Sequence, residues 1–206
     1  QLPKVWNGSA FVQAPATSTL IIRSYLAGLT LSTAGSSTTM TTAAGTTADS
    51  TNVDMLTLAS SIAKTTAAWA VGTATGGLDT GTIANSTWYH FHVIKRTDTA
   101  VVDVLISLSA TAPTMPTNYT ERRRIGSGRT DGSAQWTAFT QDGDYFRWSA
   151  SILDVSAANP GTSAVSRTLT VPTGVNVFAL YNAAVGIGAS GTAWLISDLA
   201  ANDEAA

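Results

Sequence analysis

Residues 88–94, Trp-Tyr-His-Phe-His-Val-Ile, carry bulky side chains throughout, with the two polar rings His90 and His92 two positions apart. That bulk and alternation predict a core strand. Residues 101–108 alternate again, with Val102, Val104, Ile106 and Leu108 on one face and Asp103 on the other. Thr97-Asp98-Thr99 between the two runs predicts a turn, and so a hairpin. Further strand patterns cover 122–127, 135–141, 145–153, 166–171, 175–181 and 193–198. Asp131-Gly132, Asp142-Gly143, Asn159-Pro160-Gly161 and Pro172-Thr173-Gly174 separate them with turn chemistry. Many short strands spaced by turns predict an all-β domain, a β-sandwich or jelly roll. No fixed-period repeat points to a β-helix or a propeller.

The N-terminal pattern is distinct. Trp6-Asn7-Gly8-Ser9-Ala10-Phe11-Val12 places aromatic and aliphatic residues around Asn-Gly, which predicts a tight hairpin closed off by Pro15. A small module over 1–15, a sandwich domain over 16–199 and a frayed tail over 200–206 are therefore expected. Residues 20–31 alternate partly and read as a strand pair. Residues 32–51 are Ser, Thr, Ala and Gly with few large apolar side chains, which predicts a long loop or weakly apolar strands that need a partner to order. Residues 54–64 form the one helix candidate. Met55, Leu56, Leu58, Ala59 and Ile62 fit a helical face and Asp54 fits its cap, with a strand as the alternative.

Composition narrows the function classes. Apolar residues make up 44% of the chain and charged residues only 12%, about half the usual share, so the polar surface must come from neutral hydroxyl and amide groups. Such a surface suits packing against identical neighbours or hydrogen bonding to sugars. A net charge of −2 supplies no long-range attraction for nucleic acid or an anionic membrane. The absence of cysteine excludes disulfides, thiol catalysis and cysteine-bound zinc. No run has the apolar length of a membrane helix, and no leader pattern stands at the start, where Gln1 in place of Met suggests a removed or renumbered beginning.

The candidate chemistry is sparse. Gly186-Ile187-Gly188-Ala189-Ser190-Gly191 matches GxGxxG, but far from a first strand and its helix, so a Gly-rich loop or a close approach between chains is expected. His90 and His92 share a strand face and can hold a metal if Asp103, or histidines from other chains at a threefold axis, complete the set. The alternative is a pair of half-buried strand histidines. Asp142 and Asp144, with Asp131 nearby, offer calcium-type ligands or simply an ordinary hairpin turn. With Glu121 and Glu204 as its two glutamates, and most aspartates on turns, the chain offers a poor glycosidase pair, and it has no GxSxG elbow. No cofactor is implied. Arg122, Arg123, Arg124 and Arg129 form the one concentrated charge. On a strand Arg122 and Arg124 share a face, suited to anions such as acidic glycans, or to salt bridges with Asp103, Asp131, Asp142 or a neighbouring subunit. Trp136 and Tyr145, with Tyr89 and Trp148, pose the choice between core packing and a sugar platform.

Residues 118–133, NYTERRRIGSGRTDGS, follow the proline-spaced SATAPTMPTNY of 109–119 and the WYHFHVI strand. Together, over roughly 53–181, they resemble a recurrent domain of tailed-phage and prophage virion proteins of the tail-fibre-like type, and WNGSAFV resembles a small N-terminal piece common in phage structural proteins. The resemblance implies a non-enzymatic bacteriophage virion structural protein: a tail fibre, spike or tail-tip component in host attachment. The alternative is a capsid decoration (head fibre) or tail adaptor without a receptor. It further implies a homotrimer, contacts with other virion proteins and a host glycan or protein, assembly in the bacterial cytoplasm, and neither nucleic-acid binding nor membrane insertion.

Overall fold

The computed structural model describes residues 4–6, 8–13, 21–157 and 165–184. The architecture is all-β and sandwich-like, with no helix among the described residues. The hairpin expected at the N-terminus forms as β1 (Lys4–Trp6) and β2 (Phe11–Gln13), with Trp6 opposite Phe11.

The main sheet has seven strands in the order β12-β10-β11-β9-β8-β5-β4. These are β4 (Leu31–Ser32), β5 (Thr39–Thr42), β8 (Ile62–Ala68), β9 (Thr75–Leu78), β10 (Trp88–Arg96), β11 (Val102–Ser107) and β12 (Tyr119–Arg129). A second sheet orders β3 (Leu26–Gly28), β6 (Gly45–Ala48) and β7 (Met55–Leu58). A further hairpin pairs β13 (Phe139–Asp142) with β14 (Tyr145–Trp148). The expected β10–β11 hairpin forms, with Val93 opposite Val104. Alternation then sorts the side chains. Tyr89, Phe91, Val93, Val104 and Ile106 enter one core with Leu56 and Leu58 of β7, Met40 of β5 and Trp136.

The seven-stranded sheet is nearly closed, and a side chain fastens its two edges. The Gln141 carboxamide accepts from Leu31 N at 3.1 Å and donates to Ile125 O at 3.2 Å, so it bridges β4 to β12. Upstream, Trp136 N donates to Ser37 O at 2.7 Å and Trp136 Nε1 to Thr38 O at 3.2 Å. The fastening works because Gly126 has no side chain: a Cβ there would lie 2.7 Å from Leu31 Cδ1 and 3.2 Å from Gln141 Oε1. Gly126→Val should therefore destabilise the protein by about 1–3 kcal/mol through overpacking, read as a lowered urea midpoint with an unchanged m-value.

Several expectations need correction. Residues 54–64 hold no helix: Leu56 and Leu58 enter the core while Thr57 faces out, a period of two, and β8 begins at Ile62. Residues 32–51 are not a loop throughout, because their small side chains suit close pairing: β5 pairs with β8 and β6 with β7. That is the alternative of weakly apolar strands ordered by a partner. The strand pair expected over 20–31 is split between sheets, β3 pairing with β6 and β4 with β5. Residues 166–171 and 175–181 form no strand. The GxGxxG run, the Asn159-Pro160-Gly161 turn, the strand at 193–198 and the tail lie outside the described residues.

Candidate functional site

The outer face of β10 and β12 carries the histidines and two of the arginines, and a bulge puts them together. Phe91 stands opposite Gly126 but His92 opposite Arg124, so Ile125 is an extra residue on β12. Without it Arg124 would share the inner face with Val93. With it, Arg124 and Arg122 join His90, His92 and Ser127 outside, while Ile125 turns into the core.

Arg124 organises this face. Its Nε donates to His90 Nδ1 at 3.1 Å and its Nη2 to Ser127 Oγ at 2.7 Å. Because the guanidinium can only donate, His90 Nδ1 must accept, and the ring proton sits on Nε2. His92 Nε2 lies 3.0 Å from Ser109 O, which can only accept, so its proton is also on Nε2 and its Nδ1 is bare. That Nδ1 is buried with no hydrogen-bond partner among the described residues. Burial pushes both histidines down to about 4, and the Arg124 charge adds to the shift. Both imidazoles are therefore neutral at pH 7.

Among the described residues the two histidines gain no third ligand. Both rings are buried within the fold rather than half-buried on a surface. Asp103 is taken up elsewhere, by Lys64 and by the Gly72 N–H. Asp142 and Asp144 flank Gly143 in the β13–β14 turn, and Asp131 Oδ1 accepts from Ser133 N and Gln135 N in its own turn. No group of three or more potential ligands converges among the described residues.

Two clefts flank this face. One, of about 340 Å³, is lined by Ser50, His92, Thr111, Arg122, Arg123 and Arg124. Arg122 Nη2 donates to Thr111 O at 3.0 Å across it. The other, of about 700 Å³, includes Trp69, Asp79, Arg96, Met115, Pro116 and Tyr119. There Trp69 meets Tyr119 edge-on, with ring centroids 5.1 Å apart, and Arg96 grips Asp98 at 2.9 and 2.6 Å. The proline-spaced 109–119 segment contributes walls to both clefts.

The remaining candidates separate. Trp136 is 0% exposed, against Tyr89 and Phe91, and so is core rather than a ligand contact. Tyr145 is 73% exposed on β14, whereas Trp148 packs with Trp88 and Phe146. Arg129 stands opposite Trp88, two positions from Ser127. Sequence reasoning missed the acid pair Asp54–Glu121 beside Lys95, where Lys95 bonds Asp54 and burial with Asp54 next to it pushes Glu121 up to about 7. The alternation of β12 assigns Glu121 to the inner face, but Asp54 was hidden by its reading as a helix cap. Comparisons with protein-family models, curated proteins and solved structures gave no significant match.

Proposed function

We propose that this chain is a non-enzymatic structural component of a bacteriophage virion, a tail-fibre, spike or tail-tip domain that acts in host attachment. It assembles with copies of itself, as a homotrimer, and with other virion proteins. One observation carries the assembly reading. Residues 165–184 pattern as strands yet form no strand pairing among the described residues, and although Thr170 N donates to Asp154 Oδ2 at 3.0 Å, Phe178 is left 91% and Leu180 76% exposed. From 168 to 197 the sequence holds no Asp, Glu, Lys or Arg. Edge strands of monomeric proteins are normally protected by charge. An uncharged apolar strand pattern of this length fits a segment that orders against an identical neighbour, where no like charges meet. The phage resemblance supplies the setting, and its proline-spaced and arginine motifs line the two clefts.

Phe178→Asp with Leu180→Asp should convert the oligomer to monomer in sedimentation velocity while far-UV circular dichroism stays unchanged. A wild-type chain that sediments as a monomer would remove the assembly argument. Immunogold labelling of intact particles tests the location. Gold at the distal tail supports attachment, gold over the head moves the protein to a decoration role, and unlabelled particles overturn the virion reading.

A further inference from the structure

We propose that the smaller cleft, between β12 and the 109–111 segment, binds a carboxylate-bearing sugar unit of an acidic saccharide. The inference names a ligand for the attachment role and rests on that reading for its biological setting alone. Arg122 and Arg124 share the face that lines the cleft, with Arg123 between them in the chain, and no carboxylate of the described residues lies within ion-pair distance of any of the three. Of the salt bridges that sequence reasoning offered as their alternative use, those within the chain, to Asp103, Asp131 or Asp142, do not form. Burial acts on Arg124 against its charge, with Asp144 opposing, so the site gains from an incoming anion.

The second feature selects among anions. His92 lines the same cleft, is 1% exposed, and keeps a bare, unpartnered Nδ1 because its proton is committed to Ser109 O. A bare imidazole nitrogen accepts and does not donate. The ligand that satisfies the whole site therefore brings an anionic acceptor for the guanidinium N–H groups that His90, Ser127 and Thr111 leave over, and a hydroxyl that donates to Nδ1. A uronic acid carries both on one ring. Sulfate has no hydrogen to donate, and a neutral sugar has no charge for the arginines. Ser50 and Thr111 also line the cleft, and about 340 Å³ gives room for a monosaccharide unit.

Isothermal titration calorimetry of the purified chain with methyl glucuronide, methyl glucoside and sodium sulfate tests this, in whatever oligomeric state the chain adopts. The glucuronide should bind at least about tenfold more tightly than the other two, and Arg122→Gln should weaken it by about tenfold or more. The imidazole 15N resonance of His92 Nδ1 should move on glucuronide addition to the wild type, a readout that does not depend on how well a variant folds. Equal binding of the glucoside, sulfate as tight as the glucuronide, no glucuronide binding, or a folded Arg122→Gln chain with unchanged affinity would each overturn the proposal. None of these results bears on particle location or assembly, so the two readings fail separately.

Discussion

Asp103→Ala should lower stability by about 3–5 kcal/mol, the usual cost of leaving one partner of a buried ion pair uncompensated. Lys64 Nζ lies 2.9 Å from Asp103 Oδ1, and both side chains are 1% exposed. The ammonium also donates to Ala70 O at 2.7 Å, Gly72 O at 2.9 Å and Thr75 Oγ1 at 3.1 Å, and lies 5.4 Å from the Trp69 ring. These groups exist because of an uncommon connection. β8 and β9 run parallel, yet residues 69–74 alone join them, where parallel neighbours ordinarily need a dozen or more. The tight return turns carbonyls inward, and it needs Gly76, where a Cβ would lie 1.9 Å from Ala68 O. Lys64 neutralises those carbonyls, and Asp103 neutralises Lys64 while its Oδ2 accepts from Gly72 N at 2.8 Å. Burial drives the Lys64 pKa down and Asp103 holds it up, so without the carboxylate the loop loses its cation or keeps it at a high cost. Lys64→Met with Asp103→Leu should recover most of the loss, because apolar groups of similar volume need no solvation. Urea unfolding of the two single variants and the double one gives the coupling. A loss below about 1 kcal/mol for Asp103→Ala would show the pair to be dispensable.

That ion pair also shows where sequence reading reached and where it stopped. Asp103 was visible as the lone charge in an apolar strand, and a lone acid in a core strand demands a cation. The cation was hidden because residues 54–64 were read as a helix, which put Lys64 at a helix end. Short apolar runs satisfy both periods, and tertiary pairing decides between them, as β7 with β6 and β8 with β5 do here. The β10–β11 hairpin was legible because bulk, alternation and turn agreed. The shared face of Arg122 and Arg124 was also legible, but its union with the histidines depends on the extra residue Ile125, which alternation cannot register. Residues 166–171 and 175–181 have strand patterns and no strand. A sequence pattern records the preference for pairing but not the partner that satisfies it.

Acidification should destabilise the protein, with a net loss on the order of 3 kcal/mol between pH 7 and pH 4. His90 and His92 titrate near 6.5 in the unfolded chain and near 4 in the fold, where burial and the charge of Arg124 exclude a second cation. Their folded values are depressed. The stability they contribute is thus fully present above pH 6.5 and is lost as pH falls through 4. A shift of this size is worth roughly 3 kcal/mol per histidine. Glu121 works in the opposite direction. Its folded value is raised to about 7 by burial and by Asp54, so its contribution is present below about 4.5 and is lost as pH rises through 7. It offsets part of the histidine effect but not both residues. The slope of stability against pH should therefore be positive between 4 and 6.5, and Glu121→Gln should steepen it by removing the opposing titration. Thermal melts across that range give the slope directly, and 15N spectra of the imidazoles give the two folded values. A flat profile with both histidines titrating near 6.5 would mean that the two rings are open to water rather than buried.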